Sequence, residues 1–371
     1  MSDSLTADIV IVGAGIAGAG LAAALGGRRH VVLLEREAQA GYHATGRSAA
    51  VFTPTYGDGP IRMLTAAGAA ALHDPDPRFW PHPILKPRGM LRLVAPDGDA
   101  ACAALMRQAE GVRGICLNEA RNLFPLMNPQ RFVAASYERD VFDIDVDGLL
   151  QGYLRKARRF GTEIFFGCEA TGIARVGDRW RVETDDGVFE ARVVVNAAGA
   201  WADGLAGRAG VRQLGFRPLR RSMAVVDLPA CAPASETWPF VVRFPLGWYA
   251  KPDAGWLIVS PADEDLMLAQ DAYADDMVIA EGLHRFEQDV TMTVEKVRRS
   301  WAGLRTHSAD GYPVVGFDPN AEGFFWLAGQ GGFGVQTAPA LSDLAAALIC
   351  EDVPSCLLPP GFADQLAPTR F

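Results

Sequence analysis

The sequence is poor in every feature that would make it a disulfide scaffold, a metalloprotein, a nucleic-acid binder or a membrane protein. Its six cysteines (Cys102, Cys116, Cys168, Cys231, Cys350, Cys356) are scattered and contain no CxxC, which reads as reduced thiols in a cytoplasmic protein. The six histidines form no HxxxH or HExxH pair, so no metal is expected. Lys and Arg are gathered into no long run, and 35 of them against 44 acidic residues leave a net charge of -9. That balance argues against a nucleic-acid or anionic-membrane partner, because nothing is placed to release phosphate counterions. The densest basic clusters, residues 155–159 and 217–221, are short, and the first reads as a solvated helix face. No stretch is long enough to span a bilayer. Residues 9–27 are continuously apolar or glycine, yet they are preceded by Asp3 and Asp8 and by no basic residue, so the positive start of a secretory signal is missing. The expected location is cytoplasmic, with peripheral attachment to the inner membrane face left open.

What is present is a chain of 371 residues, 49% apolar and 21% charged, large enough for two or so globular domains. Its organising stretch is residues 7–35, ADIVIVGAGIAGAGLAAALGGRRHVVLLE. Residues 7–12 read as a buried parallel strand, and the GAGIAG run that follows opens a small-residue helix. Gly13 allows the sharp turn out of the strand, Gly15 lets backbone N–H groups approach a pyrophosphate, and Gly18 lets helix and sheet pack closely. The anion then rests on the positive end of the helix dipole. A second strand ends in Glu35, placed to accept hydrogen bonds from a ribose. Strand, glycines, helix, strand and terminal Glu together make a dinucleotide site.

Further along, residues 46–50 (GRSAA) read as a loop entering a helix N-terminus, a second place where N–H groups face the cofactor, which therefore extends further than NAD would need. Proline-rich residues 75–87 mark a domain boundary, followed by a strand at 90–94 and helical patterns at 100–110 and 118–124. Residues 143–150 start an amphipathic helix that runs through Arg159, with Asp143, Asp145 and Asp147 near its positive end; then come a strand at 161–166 and a hairpin turning at 185–187. Residues 192–202 return the chain to the ligand edge as a strand followed by a helix, although an ordinary strand-to-helix turn would have the same spacing. Apolar runs between 217 and 260 suggest an antiparallel sheet, and residues 276–295 a helix. A last buried strand, 323–328, opens into GQGGFG and a helix over 337–350, whose N-terminus would stabilise negative charge on a reduced flavin.

These residues carry a family resemblance. IVIVGAGIAGAG with Glu35, GYHATGRSAA, VVNAAGAWA, WAGLR and GFFWLAGQGGFGVQT occur in the order found in the D-amino-acid oxidase and dehydrogenase family of FAD enzymes, and the chain most resembles the bacterial D-arginine dehydrogenases. The resemblance implies that FAD pyrophosphate and ribose lie against Gly13, Gly15, Ala17, Gly18, Glu35 and Arg36. It places Ala44, Thr45, Gly46, Arg47, Ser48, Ala49, Ala50 and Val51 along the flavin and its phosphates, Ala170 at the adenine, and Gln330, Gly331, Gly332, Phe333, Gly334 and Val335 along the isoalloxazine. FAD is expected without a covalent bond, since no cysteine or histidine stands where sarcosine-oxidase relatives attach it.

For the substrate, an α-carboxylate is best held by a planar, permanently charged fork. Arg305 and Arg221 match the family's carboxylate clamps, Tyr249 a phenol that adds a hydrogen bond, and Tyr56 a lid residue. On residues alone, an arginine is more often half of a surface ion pair and a strand tyrosine half-buried wall. His307 shares a strand face with Arg305 and stands either as an aid to deprotonating the substrate ammonium or as a strand-end histidine satisfied by backbone or water. The family's basic-substrate members carry a histidine where this chain has Val51 and an acidic residue in the segment that here reads Pro87-Arg88-Gly89-Met90. With Lys86 and Arg88 there instead, a cationic side chain loses its reason to bind.

The expected architecture is α/β: a Rossmann-like FAD-binding domain of residues 1–84, 146–210 and 306–371, and an antiparallel-sheet substrate domain of residues 85–145 and 211–305. The expected activity is FAD-dependent oxidative deamination of a D-amino acid with a neutral or apolar side chain. Hydride would pass from Cα to flavin N5, giving an imino acid that hydrolyses to a 2-oxo acid and ammonia. The partners are that small-molecule substrate and an electron acceptor: a quinone, an electron-transfer protein or O2. Two alternatives stand beside it, an O2-using oxidase of glycine, sarcosine or another secondary amino acid, and a flavoprotein subunit or sensor whose FAD is structural.

Overall fold

Strand Leu5–Val12 is apolar on both sides because both sides are covered. In the computed structural model, which describes residues 4–98, 111–229, 232 and 235–371, its side chains alternate between two hydrophobic cores. Ile9 and Ile11 enter one, Val10 and Val12 the other, as the period of two in a strand requires. Val31–Glu35 and Phe324–Ala328 divide the same way, with Leu33 and Leu327 on one side and Leu34 and Trp326 on the other.

These strands belong to an eight-stranded sheet running Gly172–Val176, Arg179–Thr184, Gly187–Asn196, Leu5–Val12, Val31–Glu35 and Glu163–Phe166. Phe324–Ala328 joins it in parallel alongside the C-terminal half of Gly187–Asn196, and Val314–Phe317 adds antiparallel to Phe324–Ala328. One face is covered by helices Ile16–Leu25, Gly59–His73, Val146–Arg159 and Gly334–Cys350. Val146–Arg159 starts where Asp145 caps it, its carboxylate accepting from Gly148 N–H at 2.9 Å.

A second eight-stranded sheet is drawn from two separated stretches of chain. Its order is Val297–His307, Arg217–Val226, Trp256–Ser260, Tyr249–Asp253, Phe240–Phe244, Met90–Val94, Ala134–Glu138 and Val112–Ile115. One face packs against helices Leu117–Leu123 and Asp276–Asp289 through Leu91, Val241, Ala250, Leu257 and Phe286. The other presents Met90, Met223, Val225, Phe240, Tyr249 and Ile258 as a separate cluster. A small third sheet joins Val51–Phe52, Phe142–Ile144 and Leu85–Pro87.

Five expectations are corrected. The helix expected from Asp143 begins at Val146, because residues 142–144 pair as a strand between Val51–Phe52 and Leu85–Pro87. No helix follows residues 46–50, which pass from turns into strand Val51–Phe52. Their hydrogen bonds go elsewhere: Gly46 N–H to Gly41 O, and the Arg47 guanidinium to the carbonyls of Ala272 and Ala302. The second sheet is mixed rather than antiparallel, since Phe240–Phe244 runs parallel to Met90–Val94 from the other stretch of chain. Helix Asp276–Asp289 stops short of residue 295 because Val290 turns extended, with φ -123° and ψ 170°, and bridges Met127. Helix Gly334–Cys350 begins three residues early, directly on the glycine turn. The pattern at 100–110 lies outside the described residues.

Candidate active site

Three strand ends meet at one edge of the first sheet. Leu5–Val12, Gly187–Asn196 and Phe324–Ala328 are parallel neighbours, and each runs through a glycine-bearing turn into a helix. Gly13 has φ +108°, and a Cβ there would come within 2.5 Å of Ala197 O, so the first two turns touch with no room for a side chain. A Cβ on Gly18 would overlap the Gly13 carbonyl, which makes Gly18 a packing glycine. The two Glu35 oxygens accept from Ala14 N–H at 2.8 Å and Glu37 N–H at 3.0 Å, holding the carboxylate rigid at the strand end. Thr45 Oγ1 accepts from Ile16 N–H at 3.0 Å at the start of the first helix.

Above this edge lie two cavities. One is lined by Gly13, Gly15, Glu35, Arg36, Cys168, Ala170 and Trp201, the other by Ala17, Ser48, Arg221, Arg305, Gln330 to Gly332, Gly334 and Val335. They share Gly15, Ala44, Thr45, Arg47, Ala197, Gly199, Gly303 and Leu304, and so form one elongated cleft.

The far end of the cleft meets the inner face of the second sheet. Strands Arg217–Val226 and Val297–His307 pair with Arg221 opposite Gly303 and Leu219 opposite Arg305, which sets Arg221, Met223, Trp301, Arg305 and His307 on one face. A Cβ on Gly332 would lie 3.1 Å from both Arg305 Nη1 and Tyr56 Oη, so guanidinium and phenol stand together over that glycine turn. Burial works against the Arg305 charge, but the phenols of Tyr249 and Tyr56 and the Glu264 carboxylate outweigh it and hold the group above its ordinary value. Among the described residues Arg305 makes no ion pair. Arg221, 4% exposed, differs: its Nε donates to Asp263 O at 2.8 Å and its Nη2 to Glu264 at 2.6 Å. Tyr249 is buried, with its hydroxyl 3.6 Å from Met223 Sδ and the Arg221 guanidinium 5.7 Å from its ring centre.

A family model described as FAD dependent oxidoreductase (DAO) matches residues 8–348. The chain belongs to this family. The oxidoreductase is 26% identical over 274 residues to hydrogen cyanide synthase subunit HcnC of Pseudomonas aeruginosa, a match covering 72% of this chain and 63% of that relative. It is 24% identical over 361 residues to glycine oxidase of Geobacillus kaustophilus, covering 92% of each chain. The crystal structure of that glycine oxidase superposes with a TM-score of 0.84 at 23% identity, covering 99% of this chain and 100% of the other. L-proline dehydrogenase from P. horikoshii superposes with a TM-score of 0.83 at 20% identity, covering 100% of this chain and 98% of the other.

FAD is the cofactor of this oxidoreductase, and the cleft fits it: a glycine-walled helix N-terminus, a fixed carboxylate and a second glycine turn lie along one continuous trough. Gly13, Gly15, Glu35, Arg36, Ala44, Thr45, Arg47 and Ala170 line one section, and Ala17, Ser48, Gln330, Gly331, Gly332, Gly334 and Val335 the other. Six expected cofactor residues line neither. Besides Gly18, Gly46 closes a local turn, and Ala49 and Val51 pack with the apolar cluster around Tyr249. Ala50 accepts the Ile144 N–H at 3.2 Å, and the Phe333 ring lies 4.7 Å from the Tyr56 ring.

The structure also shows contacts that the motifs did not. Trp201, from VVNAAGAWA, has the Arg36 guanidinium 4.1 Å from its ring centre and the His43 ring 4.6 Å away, tilted at 52°, in the lining of the first cavity. Gln270 and Ala272 line the same cavity, tied there by Arg47 through Ala272 O and Asp271. The GYHATGRSAA string contained His43, but only the fold pairs it with Trp201. Arg88 is not free beside the substrate face: it is paired with Asp143, which Lys251 also holds at 3.0 Å, and donates to Glu236 O and Trp238 O. His307 packs on the turn, where a Cβ on Gly331 would come within 2.6 Å of its Nδ1. Burial pulls its pKa below 6.5, Glu264 opposes this, and Arg305, Arg221 and Arg217 add to the depression. The imidazole is therefore neutral at neutral pH. Among the described residues no helix is long and apolar enough to cross a membrane.

Proposed function

We propose that the oxidoreductase oxidatively deaminates a small neutral or apolar D-amino acid. The observation that carries this reading is the Arg305 guanidinium, charged, unpaired among the described residues, and standing with Tyr56 Oη over Gly332 at the ring end of the cleft. A guanidinium that faces the cleft with no ion-pair partner has donors to offer an anion, and the substrate α-carboxylate fits that place. Two of the five Arg221 N–H donors are already taken, by Asp263 O and Glu264, so it has fewer to offer the substrate than Arg305. Tyr249 supports Arg221 from below, and the Met223, Met90 and Phe240 cluster offers an apolar wall with no free carboxylate for a cationic side chain.

With the carboxylate held, Cα and its amine are turned toward the turn at 330–334, and the close approach of the chain there excludes water. FAD, held by the cleft residues named above, would supply the two-electron oxidising capacity. The substrate ammonium must lose a proton before the C–N bond can become an imine, and the neutral His307, packed against Gly331 but lining neither cavity, would have to act on it across that turn. The imino acid then takes up water and releases ammonia and a 2-oxo acid.

A second reading, oxidation of glycine or a secondary amine such as sarcosine with O2, is favoured by the likeness to glycine oxidase over 92% of both chains. Anaerobic titration of the FAD-loaded protein with D- and L-amino acids, glycine, sarcosine and proline decides between them. D-Ala or D-Met is expected to bleach the flavin while the L-enantiomers do not. Bleaching by glycine and sarcosine alone selects the second reading, and bleaching by nothing leaves a structural flavin.

A further inference from the structure

The inner face of the second sheet carries one charged pair that the proposed chemistry does not use. Arg92 on Met90–Val94 and Glu138 on Ala134–Glu138 are 6% and 2% exposed, and Arg92 Nη2 donates to Glu138 Oε2 at 2.6 Å. A buried ion pair is weak support for stability, since apolar residues of equal volume would serve as well. Its partners say more. Thr55 Oγ1 donates to Glu138 Oε2 at 2.7 Å and accepts from Arg92 Nη2 at 3.0 Å, while Thr53 Oγ1 donates to Glu138 Oε1 at 3.2 Å. Thr53 N–H reaches Gln336 Oε1 at 3.3 Å, and Gln336 Nε2 donates to Thr65 Oγ1 at 3.0 Å. The pair is therefore the foot of the loop whose tip is Tyr56, and through Thr53 and Gln336 the same loop is tied to the helix that begins at the 330–334 turn.

Tyr56 is 40% exposed: its ring lies 4.7 Å from that of Phe333, tilted at 50°, and its hydroxyl hydrogen-bonds the Arg305 guanidinium, so the loop beneath it decides how it meets that group. Its neighbour Thr55 is 8% exposed and wholly engaged. We propose that the Arg92–Glu138 pair is the positioning device of the substrate lid: acting through Thr55, it sets where Tyr56 Oη stands relative to Arg305 and so sets the affinity for the substrate carboxylate. The inference rests on the reading of Arg305 as the carboxylate anchor. Arg92 Nη1 has no hydrogen-bond partner among the described residues, which leaves Glu138 with a guanidinium held from one side and keeps the pair's orientation dependent on the two threonines.

The test uses the FAD-loaded full chain with benzoate as probe, its binding followed by the perturbation of the flavin absorption bands. Thr55→Val and Tyr56→Phe are each expected to weaken benzoate by roughly fivefold, one hydrogen bond's worth. The double variant is expected to be no weaker than the poorer single, because Thr55 acts only through Tyr56. Thr55→Ser, which keeps the hydroxyl, restores wild-type affinity, and Glu138→Gln weakens binding with an unchanged flavin-to-protein ratio. Effects that multiply in the double variant, or a Thr55→Val protein that melts earlier yet binds benzoate normally, overturn the proposal. Arg305→Lys separates the two layers: if it binds benzoate as the wild type does, the anchor reading fails first, whereas loss there with no loss in Thr55→Val sinks the lid inference alone.

Discussion

The two ends of the cleft are built by opposite means. The nucleotide end is made of backbone: Gly13, Gly15 and the Glu35 strand end come from one short stretch, and the surfaces they offer are N–H groups, missing side chains and one pinned carboxylate. The substrate end is made of side chains, with Arg221, Tyr249, Arg305 and Tyr56 drawn from four segments far apart in the chain. The first should fail where a side chain is added to a glycine; the second should fail where one of its four side chains is taken away.

The largest effect is expected at the backbone end. Gly13→Ala puts a methyl group within 2.5 Å of Ala197 O at φ +108° and should yield a colourless protein, read from the ratio of flavin to protein absorbance after reconstitution. A normally yellow Gly13→Ala protein would break the comparison outright. Next comes Arg305→Ala, which should keep its flavin and raise KM about a hundredfold, the cost of two charge-assisted hydrogen bonds. Arg221→Lys sharpens the contrast inside the side-chain end. Because Asp263 O and Glu264 already occupy two of its donors, KM should rise only about five- to tenfold, and equal losses at the two arginines would show that Glu264 is displaced when substrate binds.

The smallest effect concerns pH. His307 has a folded pKa depressed below 6.5, so the unfolded chain binds the extra proton first. Its contribution to stability is complete above about 6.5 and is lost as pH falls through the depressed value. Wild type should lose melting temperature on acidification through that window more steeply than His307→Gln. Parallel Tm profiles would show that the ring titrates freely.

The backbone end was legible because a strand, a GxGxxG turn and a terminal Glu are consecutive in sequence and each has a local physical reason. Arg305 and Tyr56 were singled out only through family resemblance, since nothing local marks an arginine as unpaired. What was not legible is long-range. Residues 46–50 have the composition of a helix start, but Arg47 and Gly46 spend their hydrogen bonds on distant carbonyls. Asp143 and Lys251 neutralise Arg88 from other strands, and Glu264 holds Arg221 from a segment with no motif at all. The parallel pairing of Phe240–Phe244 with Met90–Val94 joins stretches that no periodicity could connect.

Strand Val297–His307 gives Trp301 to the carbonyl of Arg47, Gly303 to the middle of the cleft, Arg305 to the proposed carboxylate site and His307 to the 330–334 turn. It is a ruler: at roughly 3.3 Å per residue, Gly303 and His307 stand about 13 Å apart whatever the neighbouring loops do. The alignment between oxidant and anchor is thus inherited from covalent geometry. Inserting or deleting a single residue in this strand would turn the anchor to the opposite face, a fault that no repacking elsewhere could repair.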